Sequence, residues 1–122
     1  MTVHPVTLDD LLVVEHWFKE QGEELPRPLP PTGFICEAAA GWLVKTDAGV
    51  AMVEAYITNP QALARARSEG LDAVTAALIG EARRCGFKSL IGITTNQGLV
   101  ARAVERHGFT YVGQKHGLIR EL

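Results

Sequence analysis

The clearest periodicity in the chain is the recurrence of Leu71, Val74, Leu78, Ala82 and Cys85 at i, i+3, i+7, i+11 and i+14, which predicts a helix with one apolar face. Gly86 closes it, and the apolar "SLIGITT" that follows predicts a buried strand with Ile91 and Ile93 against that helix. Upstream, "GFICEAA", "GWLVKTD" and "VAMVEAYIT" are strand-sized runs separated by short glycine-containing breaks, which predicts antiparallel neighbours. In the third run strict alternation places Val53, Ala55 and Ile57 on one face and Met52, Glu54, Tyr56 and Thr58 on the other. Nearer the start, "VHPV" predicts a short strand. Thr7 then reads as an N-cap with Asp10 completing a capping box, and Leu8, Leu11, Leu12 and Phe18 as the inner face of a helix ended by Gly22. "ELPRPLPPTG" holds four prolines in ten residues and predicts an extended connector. A later helix, "QGLVARAVERH", should carry Leu99, Val100, Ala103 and Val104 inward and stop at Gly108. The final segment "FTYVGQKHGLIREL" divides at Gly113 to Gly117 into two last strands.

Composition narrows the classes. The 122 residues predict one domain, 1–122, large enough to bury a core without staples. A net charge of −2 offers no basic surface for nucleic acid, and no apolar run approaches the ~18 residues of a membrane span. "MTVHPVTLDD" lacks the basic-then-apolar plan of a signal peptide, so the expected compartment is cytoplasmic. Cys36 and Cys85 read as reduced, buried thiols. The four histidines have no metal-ligand spacing with them or with each other, so no metal site is expected.

The junction "NPQALARARSEGLDAVT" carries the main ambiguity. A turn that frees backbone N–H groups at a helix start can cradle a phosphate. A helix running unbroken from Pro60 to Cys85 would consume the same amides internally, and Gly70 costs such a helix only ~1 kcal/mol. We expect a short helix over Pro60–Arg67, a break near Ser68 to Gly70, and then the main helix. Glu69 and Asp72 oppose an anion there, while Arg65 and Arg67 favour it.

The order strand, helix, meander, helix, strand, helix, strand pair resembles the GNAT superfamily of N-acetyltransferases. The similarity is strongest in "ARRCGFKSLIGITTNQGLVARAVERHGFTYVG", with "VHPVTLDDLLVVEHWF" resembling the family's opening. "LPPTGFICEAAAGWLV" and "VEAYITNP" are also similar to small GNAT-like proteins of bacteriophages and prophages. The resemblance implies an α/β fold, a GNAT-like mixed β-sheet with helices on both faces. It implies a cofactor, acetyl-CoA, held between the third run and "SLIGITT", and an acceptor that is a small-molecule or protein amine. The cofactor-binding set would be Ile57 and Thr58 on the strand edge, Arg65, Arg67, Ser68, Gly70 and Leu71 at the cradle, and Asn96. The family's Arg/Gln-x-x-Gly-x-Gly/Ala turn is worn here, since Asp72 replaces the second small residue, which implies weak binding. Glu54 stands where family members keep the general base. Val104 stands where they keep a tyrosine acid, leaving Tyr56 and Tyr111 as substitutes. The resemblance leaves two functions open: an N-acetyltransferase, with a homodimer as one arrangement, and a catalytically silent GNAT-like structural or interaction module of phage derivation.

Overall fold

The structure is a computed structural model that describes residues 1–122. Its elements are β1 (His4–Pro5), α1 (Leu8–Glu20), β2 (Thr32–Ile35), β3 (Ala39–Lys45), β4 (Val50–Thr58), α2 (Ala64–Arg84), β5 (Ser89–Gly92) and α3 (Gln97–His107). The five strands lie in the order β1-β2-β3-β4-β5. The first four are antiparallel and β5 is parallel to β4, as a helical crossover through α2 requires. No helix is long and apolar enough to cross a membrane.

The sheet is covered on both faces. On one, α2 buries Val74, Leu78 and Ala82 against Cys36, Ala38, Ala39, Leu43 and Ala51, with Leu71 packed alongside. On the other, α1 buries Val14, Trp17 and Phe18 against Ile35, Ala40, Trp42 and Ile57. The expected capping box starts α1: Thr7 N–H donates to Asp10 Oδ2 at 2.8 Å and Asp10 N–H donates to Thr7 Oγ1 at 3.4 Å. The inner face of α1 differs from expectation, because Leu8 and Leu12 are exposed. At ~100° per residue, Leu12 stands about 200° around the helix from Val14 and Leu8 about 240°. Both miss the stripe that Val14, Trp17 and Phe18 set.

Three expectations fail at the far edge of the sheet. β5 is mostly exposed, and Ile91 and Ile93 remain 43% and 75% accessible instead of lying under α2. Residues 109–122 form no strand and are almost wholly exposed. A four-residue edge strand with an exposed face offers those strands little apolar surface to bury, so pairing would gain little there. α3 occupies its predicted span and stops at left-handed Gly108, but none of its residues is buried. Its basic residues, rather than Leu99, Val100, Ala103 and Val104, make the polar contacts that join it to α2. Cys36 is buried as expected, whereas Cys85 caps the C-terminus of α2 and is exposed.

Candidate functional site

β4 and β5 pair only from Val50↔Ser89 to Val53↔Gly92. β4 continues through Thr58, so Glu54 to Thr58 lack a strand partner on the β5 side. At this point the register with β3 shifts. Ala40 faces Ile57 while Trp42 faces Glu54, which leaves two β4 residues, Ala55 and Tyr56, opposite Gly41 alone. Ala55 takes φ +56°, a conformation that costs a non-glycine residue roughly 1–3 kcal/mol and marks functional segments more often than others. Beyond Val53 and Gly92 the two parallel strands no longer pair, and the wedge there leaves the β5-side edge of β4 without a ladder partner.

The bulge also corrects the face assignment of β4. Glu54 pairs with Trp42, which lies in the α1-side core, so Glu54 projects to that face and is exposed. Ala55 and Ile57 pack on the same side, while Val53 and Tyr56 pack on the α2 side. Glu54 and Tyr56 therefore do not share a face, because an inserted residue inverts the alternation beyond it. Gly41 makes room for the tyrosine: a Cβ there would meet the Tyr56 ring at 3.0 Å. The Thr75 hydroxyl donates to the Leu71 carbonyl at 2.7 Å, so at the 2.8 Å contact with Tyr56 the phenol is the donor. Burial raises the Tyr56 pKa above its ordinary value, opposed by the hydrogen bond to Thr75. The phenol thus holds its proton and directs it into α2. Tyr111 lies in the exposed tail outside every element.

α2 settles the ambiguity of the junction. No break occurs near Ser68 to Gly70, and the helix runs unbroken from Ala64 to Arg84. Asn59 instead makes a separate turn, in which its side chain accepts from Gln61 N–H at 2.9 Å and its carbonyl from Ala62 N–H at 3.1 Å. Gly70 serves packing rather than turning: a Cβ would meet Ala38, Ala39 and Cys36 at 3.1, 3.2 and 3.2 Å. The amides of Ser68, Gly70 and Leu71 lie inside the helix. The orphan donors have moved to Ala64, Arg65 and Ala66, since Arg67 N–H already bonds the Leu63 carbonyl. No side chain caps this end and no acid occupies its first turn. The string Gln61-Ala62-Leu63-Ala64-Arg65-Ala66 holds a glutamine and two small residues at the spacing of the expected cradle, a signal hidden by alanines standing where glycines are expected.

The remaining predicted residues are dispersed. Ile57 is buried on the α1 side, the Thr58 carbonyl accepts from Gln21 Nε2 at 2.9 Å, and Arg65 pairs with Glu69 at 3.1 Å. Asn96 caps α3 by accepting from Leu99 N–H at 3.2 Å. A concavity of about 430 Å³ opens elsewhere, lined by His4, Asp10, Trp17, Cys36, Glu37 and Asn59, and takes in none of the predicted residues.

Sequence reasoning missed a seam between α2 and α3. Asp72 accepts from Arg102 at 2.8 Å and Arg106 at 2.8 Å, and contacts His107 Nε2 at 3.0 Å. Arg102 also donates to the Ser68 carbonyl at 3.2 Å and to Ser68 Oγ at 2.8 Å. Partial desolvation alone would raise the Asp72 pKa, but the Arg102, His107 and Arg106 hydrogen bonds prevail and lower it to about 2. The basic i, i+4 pair Arg102 and Arg106 was the available signal.

No protein-family model matches the sequence, and no curated protein matches it. Solved structures do match over nearly the whole chain. A Trypanosoma brucei acetyltransferase aligns at TM-score 0.68 and 16% identity, covering 98% of this chain and 99% of that one. Glucosamine-6-phosphate N-acetyltransferase from Arabidopsis thaliana aligns at TM-score 0.67 and 10% identity, covering 98% of each chain. A structure named as a transcriptional regulator from Bacillus halodurans aligns at TM-score 0.68 and 15% identity, covering 98% of this chain and 99% of that one. The fold is thus that of the GNAT acetyltransferases, a mixed sheet flanked by helices. At these identities the likeness speaks for the fold alone.

Proposed function

We propose that the chain is an N-acyltransferase that moves an acetyl group from acetyl-CoA to an amine carried by a small molecule or a protein. The observation that carries this reading is the wedge between β4 and β5, with its bulge at Ala55 and the unpaired β5-side edge beyond Val53. An extended, amide-bearing arm fits such an edge, because it can complete the ladder that β5 leaves. When bound, acetyl-CoA would supply the activated acetyl thioester. Glu54, exposed on β4 at the mouth of the wedge, would accept the proton that the attacking amine loses, directly or through one water. Tyr56 is spoken for by Thr75 and Tyr111 stands in the exposed tail, so thiolate protonation falls to solvent.

Replacing Glu54 by Gln keeps the size and removes the acceptor. Turnover measured against a panel of amines should fall roughly 10²–10⁴-fold with acetyl-CoA affinity unchanged. Unchanged turnover would overturn the assignment of the base. A second reading, a GNAT-fold interaction module without turnover, draws on the unbroken α2, which consumes the amides expected to hold the cofactor's phosphates. Turnover with any amine excludes that reading.

A further inference from the structure

Beyond α3 the chain leaves the fold as an unanchored tail. Phe109 N–H bonds the Ala103 carbonyl, but no hydrogen bond or ion pair holds residues 110–122, and they form no helix or strand. Within the tail stands "GQKHG", with exposed Lys115 between Gly113 and Gly117. Gly113 takes φ +106°, which side-chain-bearing residues rarely adopt, and a glycine on either side lets the lysine swing. The other three lysines are held in place. Lys19 pairs with Glu15 at 3.5 Å and Lys45 with Glu81 at 3.3 Å. Lys88 is exposed and has no ion pair, but its N–H bonds the Gly49 carbonyl at 2.7 Å. That bond fixes it beside a residue five positions from Glu54, about 17 Å along the strand.

The tail starts within reach of the proposed base. His107 Nε2 contacts Asp72 Oδ1 at 3.0 Å, and Thr75, about 4.5 Å further along α2, meets the Tyr56 phenol at 2.8 Å. α3 packs on α2 and α2 on the sheet, so two layer spacings, roughly 20 Å, separate the start of the tail from the bulge of β4. The eight residues from His107 to Lys115 extend to about 27 Å. Glu54, two residues before Tyr56, is exposed on the α1 side. The way to it crosses the edge of β4 beyond Val53 and Gly92, which no strand closes. A short flexible tether of this kind presents its end group at roughly millimolar effective concentration.

We infer that Lys115 is an acceptor for the chain's own acyl transfer, acetylated in cis as the tail folds back over the wedge. The inference rests on the proposed acyl transfer and names one amine for it. The Lys115 ammonium first gives a proton to solvent. Its nitrogen then attacks the thioester carbonyl, so that a C–N bond forms and the C–S bond breaks. The second proton passes from that nitrogen to Glu54 and on to solvent, and the departing thiolate takes one proton from solvent. The products are acetyl-lysine and the free thiol, with one proton released.

The test is site-resolved mass spectrometry of the full chain after timed exposure to acetyl-CoA, following Lys115 and Lys88 together. N-hydroxysuccinimidyl acetate, a donor without the CoA arm, gives the ratio of the two rates that exposure alone sets. The inference predicts a Lys115-to-Lys88 ratio at least ~10-fold higher with acetyl-CoA than with the small donor. It also predicts a Lys115 rate constant that stays the same when the protein is diluted about 10-fold, as an intramolecular step requires. Equal ratios for the two donors overturn it, and so does a rate constant that falls in proportion to dilution. A panel of free amines in parallel reactions separates the two proposals. Free-amine turnover with equal ratios removes Lys115 and leaves acyl transfer standing. A raised ratio without free-amine turnover supports Lys115 and narrows the transfer to the tail. Neither signal removes both.

Discussion

Gly70 and Gly41 show how single positions shape this site. Each lies where a side chain would collide with a neighbour: Gly70 where α2 crosses the sheet, Gly41 beneath the Tyr56 ring. Gly70→Val should destabilise the protein by about 1–3 kcal/mol in urea unfolding, because Ala38, just before β3, and Ala39, its first residue, are fully buried and leave the added side chain little room. A neutral outcome would mean that the contact relaxes easily and that Gly70 has another purpose. Tyr56→Phe removes the phenol donor while Thr75 keeps its bond to Leu71, so stability should fall by only about 0.5–1.5 kcal/mol. Under the proposed chemistry this variant retains wild-type turnover, and a loss of 10²-fold or more would reinstate Tyr56 as the acid. Much of the residue scale could not be read from sequence for one reason. A single inserted residue at Ala55 reverses which side chains share a face, and alternation alone contains no sign of it.

At the scale of elements, the sequence was legible where burial enforces a period. Val74, Leu78 and Ala82 predicted the buried stripe of α2 because three helical turns press on one sheet. The capping box of α1 and the span of α3 followed from local chemistry around Thr7, Asn96 and Gly108. The break in α2 was misread because Gly70 suits both a turn and a close contact, and only tertiary packing decides between them. α3 was misread because ion pairs dock it. Asp72, held to about 2 against an ordinary 3.8, gives those pairs a pH signature. A depressed carboxylate contributes stability that is fully present above pH ~4 and is lost as pH falls towards ~2. Because Asp72 keeps contact with water, the contribution is on the order of 1 kcal/mol. Acid unfolding of Asp72→Asn should be correspondingly flatter between pH 4 and 2, followed by circular dichroism. Parallel acid limbs for the two proteins would show that the seam does not stabilise the fold.

Across the whole molecule, two cores share one sheet, and the α2-side core is centred on Leu78, which is fully buried. Leu78→Ala should cost roughly 2–5 kcal/mol in denaturant unfolding, and a loss under 1 kcal/mol would contradict the packing of α2 on β3. The antiparallel meander and the parallel β5 were legible because short glycine breaks and a helical crossover permit few topologies. The outer edge was not: Ile91, Ile93 and residues 109–122 look strand-forming in sequence, yet β5 offers them little to pack against. The proposed function rests on the wedge beyond Val53 and Gly92, where β4 and β5 cease to pair. Its most direct test is thermal unfolding in rising acetyl-CoA. A ligand held in the wedge at ~100 times its dissociation constant adds ~2.7 kcal/mol to stability, which raises the melting temperature of a domain of this size by several degrees. A ligand held in the wedge should raise the melting temperature in proportion to the logarithm of its concentration into the millimolar range of acetyl-CoA, and a melting temperature that stays flat across that range would contradict such binding.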